Sequence, residues 1–368
     1  MPQTTSTVHS KEVERPIFEQ ISGTEHEQIS FCYDKDSGLK SIIAIHNTVL
    51  GPSLGGTRFW NYTDENQAVK DVLRLSRGMT YKAAITGLNL GGGKAVIIGD
   101  SRKDKSEMLF RRYGKFVNGL NGRYITAEDV GTGTRDMEYI ALETKYVTGK
   151  PESMGGSGDP SPITAYTTFL GIKASAKEVW GKDNLEGKTV GVQGAGNVGE
   201  NLIKLLLEVG AKIIVTDVYE DRLKEITKKY KVTVVGPEEI YDAKMDIYAP
   251  CALGATINDD TLNRLTCAII AGSANNQLED EHLHGKLLKE KGFLYAPDFL
   301  INAGGLINVY MEWVGYNKDR VLSAAEKVYD RTLEIFKVSH DENISTHAAA
   351  LRLAEKRIHD VAKLKARL

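Results

Sequence analysis

The sequence predicts an α/β protein of two domains, an N-terminal α/β half and a Rossmann-type, doubly wound half. Three observations carry that expectation. The 368 residues are more than twice the ~150 of a common domain. From residue 188 to about 298, short apolar runs alternate with helical segments, the pattern of a parallel sheet with helices on both faces. Between the halves, Gly155-Gly-Ser-Gly-Asp-Pro-Ser-Pro162 is the densest cluster of chain-breaking residues and marks a hinge or boundary. The expected division is residues 17–150 and 151–345, after a polar tail at 1–16 that contains no apolar run of a secretory signal.

Each element follows from its own pattern. Residues 29–33 and 41–45 are short and β-branched, as strands are. Asp64 suits the N-cap of a helix in which Ala68, Val72, Leu75 and Met79 recur at helical spacing, and a second helix carries Leu109, Tyr113, Phe116 and Leu120. Between them Gly87-Leu-Asn-Leu-Gly-Gly-Gly-Lys94 leads into a strand at 95–98, and 124–126 form another that ends in carboxylates. In the second half strands are expected at 189–192, 213–216, 232–235, 246–248, 268–271 and 293–296. Residues 346–368 form an amphipathic helix through Leu351, Ala354, Ile358 and Val361.

Composition excludes several classes. Forty-seven Lys and Arg nearly balance 49 Asp and Glu, and no basic block stands out, so no footprint for nucleic acid or an anionic membrane exists. No run of eighteen apolar residues suggests a membrane span. Cys32, Cys251 and Cys267 are too few and scattered for a disulfide framework or a metal site, which points to a reducing, cytoplasmic setting. Thirty-six glycines exceed the usual ~7%, so many turns need unusual backbone or close approach to a ligand.

Gly194-Ala-Gly-Asn-Val-Gly199 directly follows the apolar run 189–192 and opens a helix whose face is Val198, Leu202, Leu205 and Val209. A first glycine permits the tight turn, a second lets a pyrophosphate approach the backbone, and a third lets helix and strand pack closely. The anion then sits at a helix N-terminus. Eighteen residues after Gly199, Asp217 ends the run 213–217, where its carboxylate can accept from the adenosine ribose. With no Arg or Lys within two residues, Asp217 favours NAD over NADP. Gly91-Gly-Gly-Lys94 is not a P-loop, because Leu88 and Ala95 stand where that motif needs Gly and Ser or Thr.

Two lysines keep unusual company. Lys82 ends Met79-Thr-Tyr-Lys82, and Lys94 lies between three glycines and an apolar strand. Burial there would lower the pKa of Lys94 toward that of a general base, and a neighbouring Lys82 would add like-charge repulsion. Asp129 closes the 124–126 strand segment and by itself reads as a loop or capping residue.

Five ordered motifs resemble the glutamate/leucine/phenylalanine/valine dehydrogenase family, most closely its leucine-oxidising members. They are Gly51-Pro-Ser-Leu-Gly-Gly-Thr-Arg58, Leu88-Asn-Leu-Gly-Gly-Gly-Lys94, Thr126-Ala-Glu-Asp-Val-Gly131, Gly194-Ala-Gly-Asn-Val-Gly199 and Asn302-Ala-Gly-Gly-Leu-Ile-Asn308. The likeness runs from about Ile29 to the C-terminus. It implies a substrate domain first, an NAD domain next, a C-terminal helix returning to the first domain, and an active site in the cleft between them. It further implies reversible NAD-dependent oxidative deamination of branched-chain L-amino acids, leucine first, to 2-oxo acids and ammonia, by a homo-oligomer, an octamer in the leucine-specific branch.

By the same resemblance Lys94 and Asp129 are the catalytic pair and Lys82 holds the substrate carboxylate. Leu54, Gly55, Met79, Ala127, Leu306 and Val309 line the substrate pocket. Thr164, Gly194, Ala195, Gly196, Asn197, Val198, Gly199, Asp217, Ala274, Asn275 and Asn276 face the cofactor, with the division of labour between the two asparagines open. Family members acting on glutamate have lysine in place of Leu54 and serine in place of Val309, so here a distal carboxylate would be left unpaired. Two other classes fit these residues less well. A hydroxy-acid dehydrogenase would need a histidine base, and none of the eight His lies in these glycine-rich motifs. A non-catalytic dinucleotide sensor would not need Lys82, Lys94 and Asp129.

Overall fold

A computed structural model describes residues 16–366, so the expected tail, apart from Pro16, lies outside the described residues. The first half runs α1 (Ile17–Thr24), β1 (Gln28–Asp34), β2 (Leu39–Asn47), β3 (Ser53–Trp60), α2 (Glu65–Thr86), β4 (Gly91–Ile98), α3 (Glu107–Gly119), β5 (Tyr124–Glu128) and α4 (Thr134–Ala141). Then follow α5 (Ser161–Trp180), β6 (Thr189–Gln193), α6 (Asn197–Glu208), β7 (Lys212–Thr216), α7 (Glu220–Lys229), β8 (Thr233–Val234), β9 (Ile247–Pro250), α8 (Thr261–Arg264), β10 (Ile269–Ile270), α9 (Glu281–Glu290) and β11 (Leu294–Tyr295). The chain ends in α10 (Asp298–Ile301), α11 (Gly304–Trp313), α12 (Lys318–Asp341) and α13 (Thr346–Lys365).

The first sheet has the order β1-β2-β4-β3-β5, with β3, β4 and β5 parallel and β1 and β2 antiparallel to their neighbours. One face packs Ile42, Ala44 and Val96 against Ala68, Val69 and Val72 of α2. The other packs Ile43, Phe59 and Ile97 against Leu109, Phe110 and Tyr113 of α3. The second sheet is parallel throughout, in the order β11-β10-β9-β6-β7-β8, the doubly wound arrangement the strand–helix alternation predicts. The two halves share one apolar core that passes from Leu54, Ala84 and Leu88 through Ala165 and Ile172 of α5 to Val190 and Ile247.

Two sequence expectations change. The expected stripe Ala68-Val72-Leu75-Met79 begins on the buried face of α2, but Leu75 and Met79 are half-buried, and Val69, Leu73, Ser76 and Thr80 are buried instead. The second is strand β4, which begins at Gly91, so the glycines are part of the strand rather than a loop before it. Both have one cause, close contact of helix and strand: a methyl on Gly92 would come within 2.1 Å of the Thr80 nitrogen. An apolar pattern cannot announce a contact made by glycine against small polar residues.

The breaker cluster is tied down as well as bent. The buried Glu312 carboxylate of α11 accepts from the Gly149 nitrogen at 3.0 Å and from the nitrogen and hydroxyl of Ser157, both at 2.9 Å. At the other end, the C-terminal helices grip the end of α2. Arg357 Nη1 donates to the carbonyls of Leu88 and Ala84 at 2.7 and 3.1 Å, and Arg331 Nη1 to that of Ile85 at 3.0 Å. Thus α13 folds back onto the helix that carries Lys82. No helix among the described residues is long and apolar enough to cross a membrane.

Candidate active site

Three strands of the first sheet converge on one half-buried carboxylate, that of Asp129. Period two along β3 puts Leu54, Gly56 and Arg58 on one face. A methyl on Gly56 would lie 2.8 Å from Asp129 Cβ, and one on Gly55 would lie 1.7 Å from the Gly93 carbonyl oxygen, so only glycines let β3 approach both Asp129 and the Lys94 strand. The Gly55 carbonyl itself accepts from the Tyr124 hydroxyl at 2.6 Å. Lys94 is 5% exposed, and its Nζ lies 3.1 Å from Asp129 Oδ2. Arg58 Nε meets the same oxygen at 3.1 Å, while Arg58 Nη1 and the Tyr62 hydroxyl donate to Asp71 at 2.8 and 2.7 Å. Burial pushes the Asp129 carboxyl up, and Lys94 and then Arg58 outweigh it, so the group stays below the usual carboxylate range and ionised. An ammonium and a carboxylate in this contact can pass a proton to and from a bound amine.

Lys82 spans the junction between the halves. From α2 its Nζ donates to Asn302 Oδ1 at 2.6 Å, and Asn302 Nδ2 donates to Asn275 Oδ1 at 2.7 Å and to the Ser273 carbonyl at 3.1 Å. Burial lowers the Lys82 ammonium to about 8, with repulsion from Lys94 adding to the fall and Asp298 and Asp129 opposing it. The two lysines differ in partner: Lys94 meets a carboxylate, Lys82 a neutral amide oxygen. Nearby Asp298 is pushed up by burial although the Gln277 and Phe299 nitrogens donate to it at 3.2 and 2.8 Å.

The residues expected around the substrate are apolar and lie in or against the core. Leu54 and Leu306 are buried in one cluster, and Met79 and Val309 pack against it. Ala127 is buried on β5 in register with Gly56. Thr164, in the first turn of α5, abuts Gly304 and Gly305. Of the two asparagines, both exposed, Asn275 joins the Lys82 bridge through its side chain, while Asn276 has a left-handed backbone at φ 52°.

On the other half, Gly194 has φ 110°, and a methyl on Gly199 would lie 2.0 Å from the Gly194 carbonyl oxygen. This closes the turn between β6 and α6. Gly196 is the N-cap of α6 and supplies no side-chain cap; a Cβ there would meet nothing nearer than Arg222 at 3.8 Å. Open space above uncapped first-turn N–H groups is what a pyrophosphate requires, so Gly194, Ala195, Gly196, Asn197, Val198 and Gly199 fit a dinucleotide. Asp217 Oδ2 accepts from Ala195 N at 2.8 Å and its Oδ1 from Tyr219 N at 2.9 Å, which ties the cradle to β7. Ala274 N is held by the Pro250 carbonyl at 2.9 Å at the end of β9.

A family model described as Glu/Leu/Phe/Val dehydrogenase, dimerisation domain, matches residues 26–146, and one described as Glutamate/Leucine/Phenylalanine/Valine dehydrogenase matches 155–220 and 215–364. The chain belongs to this family. It is an amino-acid dehydrogenase, an oxidoreductase of a family that depends on a nicotinamide dinucleotide. A leucine dehydrogenase of Thermoactinomyces intermedius is 54% identical over 347 residues, 94% of each chain. An L-tryptophan dehydrogenase of Nostoc punctiforme is 48% identical over 351 residues, 95% of this chain and 98% of that one. The crystal structure of L-tryptophan dehydrogenase from Nostoc punctiforme superposes with a TM-score of 0.84 at 46% identity, covering 95% of this chain and 100% of that one.

Within this dehydrogenase fold several residues join the site that sequence reasoning did not assign to it. Arg58 carried a signal, since it lies four residues after Leu54 on a strand and so shares its face. Asn302 opens the motif Asn302-Ala-Gly-Gly-Leu-Ile-Asn308, which gives it no role of its own; its contact with Lys82 joins residues 220 positions apart. Asp298 and Glu312 gave none, because each acts through a partner distant in sequence, and neither did Tyr62 and Asp71, which meet across nine positions.

Proposed function

We propose that this dehydrogenase catalyses the reversible, NAD-dependent oxidative deamination of branched-chain L-amino acids, with leucine preferred, to 2-oxo acids and ammonia. The observation that carries this reading is the contact of buried Lys94 with Asp129, together with the apolar cluster that holds Leu54 and Leu306 and against which Met79 and Val309 pack. Residues 17–150 with helix 346–368 would form the substrate domain and 151–345 the NAD domain. Lys82 exchanges Asn302 for the substrate carboxylate. Bound nicotinamide supplies the hydride acceptor at Cα. Lys94 then acts as base and acid while water adds to the substrate iminium, and Asp129 moves protons at the nitrogen as ammonia leaves. Leu54 and Val309 offer glutamate no partner for its second carboxylate.

Three free cysteines, none in a disulfide, support a cytoplasmic protein. An octamer is the expected assembly, supported by the matched dimerisation domain and by Phe31 and Tyr33 standing exposed on the edge strand β1. Light scattering should return a mass several times the 40.5 kDa chain; a monomer mass would overturn this expectation.

The decisive experiment is a panel of L-amino acids assayed for reduced cofactor with NAD and with NADP. Leucine with NAD should lead, valine and isoleucine follow, and glutamate go essentially unused. The tryptophan-oxidising relatives make aromatic substrates the alternative, and faster oxidation of tryptophan or phenylalanine than of leucine would establish it. Asp217 predicts NAD over NADP.

A pH dependence follows from Lys82. Its folded value of about 8 lies below the ordinary 10.5, so the cation that binds a carboxylate is present below about pH 8 and lost above it. The non-reacting analogue 4-methylpentanoate should bind more weakly above pH 8, approaching about tenfold per pH unit, and titration calorimetry from pH 7 to 9.5 reads it. Affinity that stays flat across this range would remove Lys82 from the carboxylate site.

A further inference from the structure

Beside Asp217 lies a cation that neighbouring sequence does not reveal. Arg222, in the first turn of α7, places Nη1 3.5 Å from Asp217 Oδ2. Its guanidinium lies over the Tyr219 ring, 4.7 Å from the centroid, and Nη1 is 3.8 Å from where a Cβ on Gly196 would stand. The side chain is 51% exposed, whereas that of Asp217 is 3% exposed. Glu220 and Asp221, the acidic residues of the same turn, are turned toward Lys224 at 3.5 and 3.8 Å. Arg222 therefore spans the mouth between the carboxylate expected at the adenosine ribose and the glycine turn expected at the pyrophosphate.

A ribose held at Asp217 would carry any 2′-phosphate into this space. The phosphate meets like charge at Asp217, but Arg222 offsets that charge and has further N–H donors in a planar fork suited to phosphate oxygens. Stacking on Tyr219 restrains the guanidinium beforehand, which reduces the ordering cost of the contact. We propose that Arg222 is a 2′-phosphate contact, so that this chain binds the 2′-phosphorylated dinucleotide as a second, weaker cofactor beside NAD. The inference rests on the dinucleotide reading of the site. Asp217 sets the preference, and Arg222 limits how strongly NADP is rejected.

Adenosine 5′-monophosphate and adenosine 2′,5′-bisphosphate differ only at the 2′ position and separate the two claims without turnover. Calorimetry on the wild-type protein should detect both. Arg222→Ala should weaken the bisphosphate about tenfold or more, the scale of a lost charge-assisted hydrogen bond, and change the monophosphate by less than about twofold. The same variant should lose NADP-dependent activity while keeping that with NAD. Equal effects on both nucleotides, or wild-type protein that binds the monophosphate but not the bisphosphate, would overturn the role of Arg222 alone. If neither nucleotide nor NAD binds the wild-type protein, the dinucleotide reading falls and Arg222 with it.

Discussion

Lys94→Ala should lower kcat for leucine by about 10²–10⁴-fold, the usual share of a general acid–base group, while NAD binding stays intact. The separation is expected because Lys94 lies on β4 of the first sheet and the glycine turn on the second. Removing the ammonium also takes from Asp129 the larger of the two positive charges that hold its carboxyl low, leaving Arg58 at 3.1 Å. The Asp129 carboxyl should therefore titrate higher in the variant, and residual activity should fade at a higher pH on acidification than in the wild type. Thermal unfolding and cofactor fluorescence show whether the variant is folded and loaded. A folded variant that keeps most of its activity would remove Lys94 from the chemistry.

Leu54→Lys should be the second large effect. Leu54 is 2% exposed and belongs to the apolar cluster that also holds Leu306, so the new ammonium would stand buried among apolar side chains. An unpaired buried charge costs several kcal/mol, about 3–5 when a pair is broken. Leucine turnover should fall by about 10²-fold or more, with a trace of glutamate oxidation gained as the distal carboxylate finds a partner. Leu54→Met, which conserves volume, should cost far less and shows whether the loss is charge or shape. Wild-type protein that oxidised glutamate as efficiently as leucine would refute the pocket assignment directly.

Much of the site was legible because its motifs are local. Gly194, Gly196 and Gly199 follow a strand and open a helix, and Asp217 ends the next strand, so the cofactor half could be placed by spacing alone. Lys82, Lys94 and Asp129 were legible only through the order of the motifs, since nothing local says that α2, β4 and the end of β5 share a face. Arg58 and Asn302 were in view without a role, because their partners are Asp129 and Lys82, 71 and 220 positions away.

The sequence by itself determined the two-half α/β architecture, the parallel character of the second sheet, the glycine turn and the apolar character of the residues expected around the substrate. These follow from period-2 and period-3.6 patterns and from glycine spacing, which are properties of neighbouring residues. Tertiary structure alone decided that burial lowers Lys82, that Asn275 rather than Asn276 reaches the Lys82 bridge, and that Arg222 stands beside Asp217. A pKa, a hydrogen bond and an ion pair depend on distances of about 3 Å and on exclusion of water. Packing sets those distances between segments far apart in the chain.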